Sequence, residues 1–306
     1  MSIAAAYEQM LFQPKWYHYP LIFLLLPLSF LYGTYMSVRR IITAKKTFGL
    51  PIVSVGNLIV GGSGKTPFTI ALASRYSHVT VISRGYGRKS SGLLEVSRKG
   101  KILISVEESG DEAMLMALSL PEASVIVCED RHKAIVLARE QGAGLILLDD
   151  GFNRVEIEKF EIILEPETIH NPFPFPSGPF REFGWNKRYA DCVLKEGRDF
   201  ERIVSYEDLH TRMLLVTAIS NPERLDRYLP EGVVKKIWLK DHAYFDEKML
   251  KDLLKEYDAQ SILVTQKDLV KMRGFKLPIS QIKLKLNIKE AVFRQVDGYI
   301  QTFKKA

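Results

Sequence analysis

The stretch Val55–Pro67, VGNLIVGGSGKTP, limits what this chain can fold into more than any other. An apolar run rich in β-branched residues, PIVSV, precedes it, and KTPFTIALASRY follows with apolar residues at helical spacing. A strand, a glycine turn and a helix in that order are the context a phosphate-binding loop requires. Gly61, Gly62 and Gly64 tolerate positive φ, so neighbouring backbone N–H groups can face one anion. The new helix adds its own free N–H groups and its dipole. With Ile59, Val60 and Ser63, these glycines make the expected nucleotide cradle. Lys65 is placed to reach β- and γ-phosphates, and Thr66 to offer its hydroxyl to Mg²⁺. Pro67 falls in the first helical turn, where its missing N–H has no helical partner to lose. The strict pattern G-x-x-x-x-G-K-[ST] has glycine where Ile59 stands, so the loop must begin with other backbone angles.

Around this loop the chain alternates. PIVSV (51–55), VTVIS (79–83), ASVIVC (123–128) and GLILL (144–148) read as strands, and TPFTIALASRY and DEAMLMALSL between them as helices. Unbroken apolar strands separated by helices predict a parallel sheet covered on both faces. The expected fold class is α/β, with a P-loop NTPase-type core. An irregular Pro/Phe-rich loop spans 170–188, and a second, smaller α/β unit begins near Ser205. The expected domains are an N-terminal membrane-associating segment (1–46), the P-loop core (47–204) and a C-terminal α/β domain (205–306). A chain of 306 residues has room for about two cores.

Tyr19–Met36 carries no charge and is followed by Arg39, Arg40, Lys45 and Lys46. At about 18 residues it stands at the lower limit for a bilayer-spanning helix, and Pro27 would bend it. Two readings stand: a membrane anchor whose basic flank favours anionic headgroups, or an apolar helix packed on the domain itself. The formal charge of +7 suits a nucleic acid, an acidic membrane face or a phosphorylated substrate. Nucleic acid is disfavoured, because the basic residues are dispersed and no recognised binding module occurs. Cys128 and Cys192 both fall in apolar runs outside metal-type spacing, which argues against a disulfide-built secreted protein.

Acidic residues supply the remaining chemistry. GLILLDDGF runs apolar into Asp149 and Asp150, where a carboxylate can hold Mg²⁺ opposite Thr66. SGDEAMLMA presents Asp111 and Glu112, either an ordinary helix cap or acid–base groups. His242, beside Asp241, is either a polarised base or a loop residue. Thr265–Asp268, TQKD, lacks the lysine of the guanine-reading N/T-K-x-D motif, and Val60 stands where partitioning ATPases of the deviant type carry lysine. A phosphotransferase using ATP fits these letters best.

Taken in order, VGNLIVGGSGKTP, SRGYGR (83–88), GDE (110–112), EDR (129–131), LLDDGF (147–152), FPSGPFRE (175–182), KDH (240–242) and TQKD resemble the tetraacyldisaccharide 4'-kinases. That family phosphorylates the disaccharide lipid precursor of lipid A in Gram-negative bacteria. The resemblance implies a P-loop core and a smaller α/β unit that bind ATP–Mg²⁺ and a lipid at the cytoplasmic face of the inner membrane. It implies Lys65 and Thr66 on phosphates and metal, and Asp111 as the base for the sugar 4'-hydroxyl with His242 as its partner. Asp149, Asp150 and Glu112 would organise Mg²⁺ and the site. Tyr86, Arg131, Arg181 and Glu182 would stand near the substrate or the transferring group. No obligate protein partner is implied. The chain departs from the family pattern at Asn153 and Arg154, where Gln-His is usual, and at Ser177 and Phe183 in the 175–183 loop. The competing readings are a membrane-associated P-loop ATPase and a nucleotide-sensing adaptor.

Overall fold

The structure, a computed structural model, describes residues 3–61 and 64–304. The chain forms two compact units, neither of them one run of sequence. The first holds the residues up to Lys65, Leu145–Phe200 and those from Lys289 onward; the second holds Thr66–Gly144 and Glu201–Ile288.

In the first unit four parallel strands lie in the order Leu145–Asp149, Ile52–Gly56, Phe160–Glu165, Cys192–Lys195. Every residue of the first two is buried, as expected for strands covered on both faces. The register sets Val55 beside Asp149, and the Asp150 N–H donates to the Val55 carbonyl at 2.9 Å. The loop after Gly56 and the Asp149–Asp150 pair therefore leave neighbouring strands at the same end, where α/β sheets bind their ligands. A Cβ on Gly56 would stand 2.5 Å from that of Phe152, so only glycine lets the two segments approach this closely. The helix Glu290–Lys304 also belongs to this unit. Its Tyr299 hydroxyl accepts the Ile52 N–H at 3.4 Å, and its ring packs on Phe160. Both cysteines are buried free thiols.

The apolar segment is one helix, Tyr19–Ile42, continuous through Pro27. Its two sides differ. Ile22, Ser29, Gly33, Ser37 and Arg40, spaced at helical intervals, meet the 171–186 loop. The Ser177 hydroxyl donates to the Ile22 carbonyl (3.0 Å), the Ser177 N–H donates to Ser29 Oγ (2.8 Å), and Ser37 bonds Asn186. The opposite side leaves Phe23, Leu24, Leu28, Leu31, Tyr35 and Ile42 exposed. With the preceding turn, Trp16–Ile42 is long and apolar enough to cross a membrane.

In the second unit Val79–Ser83 and Ser124–Val127 pair in parallel, and Leu94–Arg98 adds antiparallel to the latter. A separate five-stranded sheet runs Val233–Trp238, Met213–Thr217, Ser261–Thr265, Ile279–Ile288, Phe200–Glu207, its first four strands parallel. Its core gathers Leu214, Val216, Ile262, Val264 and Leu250, the last from the helix Glu247–Glu256.

Candidate active site

The phosphate loop begins with a brace. Ile59 bridges antiparallel to Phe180, the Val60 N–H donates to the Pro179 carbonyl (2.9 Å), and the Arg181 N–H donates to that of Leu58 (2.7 Å). An extended β-branched residue suits such a bridge, which is why Ile59 stands where glycine was expected. The Val60 N–H is committed to this brace. Gly61 and Gly64 adopt φ of +91° and +78°. Gly62 and Ser63, expected between them, lie outside the described residues. Lys65 opens the helix Lys65–Ala73, and its ammonium donates to Asn57 Oδ1 at 3.1 Å and stands 3.6 Å from Asp150 Oδ1. Arg181 Nη1 donates to both Asp150 oxygens, each at 2.9 Å. Asp150 holds φ of +55°, a conformation that an L-residue adopts at some cost and that recurs at functional sites. One carboxylate thus joins the loop lysine to an arginine from the 170–188 loop. Asp149, its neighbour, is buried.

The second unit carries an acid–base cluster. Asp111, the first residue of the helix Asp111–Ser119, accepts the Glu112 N–H at 2.9 Å and is 4% exposed. Gly110 stands at the helix cap with no side-chain capping bond, and both Asp111 oxygens lie 3.0 Å from His242 Nδ1. Burial pulls the Asp111 carboxyl upward, but the His242 bond and the Lys267 and Lys271 charges outweigh it and leave the carboxyl below its usual range. Its partner moves the other way. The bond to Asp111 raises the His242 imidazole above its ordinary value, against burial and Lys267. His242 sits at φ of +60°, its N–H donating to the Ala218 carbonyl (3.0 Å). The Tyr86 ring lies 5.3 Å away, and a Cβ on Gly87 would come within 3.4 Å of Nδ1. Glu112 accepts from Lys267 at 3.1 Å.

Two of the expected substrate residues are buried. Glu182 is 1% exposed and spends its carboxylate on Arg40 and Asn186. Arg131 is buried, its guanidinium donating to the Cys128 carbonyl. Tyr86 is open, at 62% exposure. Asn57, Arg40, Lys267 and Lys271 also belong to these clusters, though none is marked as a site residue by its place in the sequence. Asn57 lies inside the quoted loop stretch, but no spacing rule marks its amide as the lysine's holder.

The model of the family described as tetraacyldisaccharide-1-P 4'-kinase, LpxK, matches residues 21–209 and 204–301. The tetraacyldisaccharide 4'-kinase of Helicobacter acinonychis is 46% identical over 297 residues, 97% of this chain and 95% of its own length. That of Aliarcobacter butzleri is 44% identical over 306 residues, 97% of each chain. A crystal structure of LpxK from Aquifex aeolicus in complex with ATP superimposes with a TM-score of 0.78 at 27% identity, covering 92% of this chain and 99% of that one.

Proposed function

The chain belongs to the tetraacyldisaccharide-1-P 4'-kinase family, and from that premise we propose how its residues transfer the γ-phosphoryl group of ATP to the 4'-hydroxyl of tetraacyldisaccharide 1-phosphate. The observation that carries the reading is the Lys65–Asp150–Arg181 cluster beside a glycine loop at the strand ends.

Phosphoryl transfer asks a protein mainly for positioning and charge neutralisation. Lys65, steadied by Asn57, neutralises the β- and γ-phosphates, and the N-terminus of the helix Lys65–Ala73 adds backbone donors. Arg181, anchored on Asp150, faces the charge that develops on the transferred group. We assign this role to Arg181 over Arg131, whose guanidinium is buried against a carbonyl. Asp111 takes the proton of the acceptor hydroxyl while His242 orients its carboxylate, a contribution of about 10²–10⁴ in rate. Thr66, Asp149 and Glu112 offer hard oxygen donors of the kind Mg²⁺ takes. Residues of this kind would hold Mg²⁺, and the ion would supply charge neutralisation on the phosphate oxygens.

The acceptor's acyl chains hold it in a bilayer, and the bare side of Tyr19–Ile42, followed by exposed Lys45 and Lys46, brings the enzyme to an anionic membrane surface. We assign that surface to the cytoplasmic face of the inner membrane. The test supplies γ-labelled ATP, Mg²⁺ and tetraacyldisaccharide 1-phosphate in mixed micelles. Label in the lipid as a 4'-monoester is expected. ATP consumed equally with and without lipid, leaving the lipid unlabelled, overturns the reading in favour of an ATPase.

A further inference from the structure

The segment Thr265–Lys271 carries charges that the mechanism above leaves unused. It runs from the end of the strand Ser261–Thr265 through the short helix Gln266–Leu269. Asp268 at its centre is completely buried. It accepts from Thr217 Oγ1 (2.6 Å), Thr265 Oγ1 (2.8 Å) and the Ala218 N–H (3.1 Å). A carboxylate supplied this fully is a fixed point, turned into the protein and unable to read a nucleobase. The Ala218 carbonyl in turn accepts the His242 N–H. One carboxylate therefore ties together the strand Met213–Thr217, the backbone that carries His242, and the segment itself.

Lys271, one turn on, reaches back toward the same place. Its side chain is 1% exposed, and its ammonium stands 3.5 Å from Asp268 Oδ1 and 3.7 Å from Asp111 Oδ2. The Phe245 ring lies 5.0 Å from it, and among the described residues it has no hydrogen-bond partner. An ammonium sealed from water without hydrogen bonds is costly, and a leucine or methionine would fill the space beside Phe245 without that penalty. What the lysine adds is a fixed positive charge between two carboxylates, one of them Asp111. Lys267 adds a second charge on a side chain 19% exposed, 3.8 Å from Asp111 Oδ2 and 3.1 Å from Glu112 Oε1.

We propose that Lys271, braced by Asp268, is a positioning residue for phosphoryl transfer, holding the Asp111 carboxylate against His242 from its buried side. The proposal rests on Asp111 as the base. It also gives the TQKD stretch a purpose that differs from the guanine-reading motif it approaches.

The test is steady-state transfer by the full chain in lipid micelles. Lys271→Met removes the charge and keeps the stem. It should lower kcat roughly 10- to 100-fold, the scale of a misplaced catalytic group, with the KM values for ATP and lipid within about threefold. Lys271→Arg should recover part of the loss. In an Asp111→Asn background, Lys271→Met should change kcat by less than about twofold, since both act through one carboxylate. Wild-type kcat in Lys271→Met, or an equal loss in both backgrounds, overturns the proposal. If Lys271→Met melts below the assay temperature, Asp268→Asn replaces it, with the same split between kcat and KM expected and wild-type kcat overturning it. Wild-type kcat in Asp111→Asn alone defeats the base assignment itself, a separate result.

Discussion

Arg40 and Glu182 form a two-point ion pair almost withdrawn from water, Nε to Oε2 at 3.0 Å and Nη2 to Oε1 at 2.8 Å, with side chains 6% and 1% exposed. The pair fastens the last turn of the apolar helix to the residue after Arg181. Removing one partner of such a pair strands the other charge, at about 3–5 kcal/mol. Glu182→Ala should therefore lower the thermal midpoint in detergent far more than Arg39→Ala. The Arg39–Glu156 pair is longer, 3.5 Å, and about a third exposed, so its loss should cost no more than about 1 kcal/mol. Equal midpoints for the two variants would contradict the buried clamp.

Gly33 lets the same helix lie against the loop. A Cβ there would meet the Phe183 ring at 2.7–2.9 Å, while Phe183 stacks on Trp185 with centroids 4.1 Å apart. Gly33→Val should destabilise by about 1–3 kcal/mol through overpacking, and Phe183→Ala in the same chain should restore part of it. Thermal unfolding of the single and double variants measures this coupling.

A buried pair in the first unit predicts a pH response. Lys159 and Glu161 meet at 2.6 Å with side chains 1% and 8% exposed. Burial pushes Glu161 up to about 7 even with Lys159 and Arg40 beside it, from an ordinary value of 4.5. The folded state thus binds this proton more tightly than the unfolded chain. Stability is highest below about pH 4.5 as far as this group is concerned, and declines by roughly 3 kcal/mol as pH rises toward 7. Replacing the pair by Lys159→Met and Glu161→Leu should remove that slope and leave stability at neutral pH unchanged or higher. Denaturant midpoints at several pH values test both statements.

At the phosphate loop, Lys65→Ala should reduce transfer by about 10²–10³, the scale of losing one preorganised charge at the transition state. Asn57→Ala removes a hydrogen bond to a charged group and should cost roughly tenfold. Initial rates at saturating lipid measure both. Full activity in Asn57→Ala would show that Lys65 needs no holder.

The sequence revealed most where local chemistry and periodicity agree. The unbroken strands 51–55 and 144–148, with glycines and a helix after the first, predict a parallel α/β core, and the structure and its relatives bear this out. Pairings distant in sequence were not legible from spacing. Asp111 and His242 lie 131 residues apart, and only the family resemblance pairs them. Arg40 and Glu182 are 142 apart, and neither neighbourhood signals that an arginine after an apolar run would be a buried clamp. The reason Ile59 stands in place of glycine was not legible, because its brace, Pro179–Arg181, comes from a stretch read as irregular. Lys271 escaped notice because a lysine in a helical turn ordinarily faces water.

The most direct test compares Asp111→Asn with wild type in two assays on the same preparations, nucleotide binding and transfer of labelled phosphate to tetraacyldisaccharide 1-phosphate. The account predicts ATP affinity close to wild type and transfer reduced by about 10²–10⁴, because the variant keeps the phosphate loop and loses the base. Transfer at the wild-type rate by Asp111→Asn would contradict it.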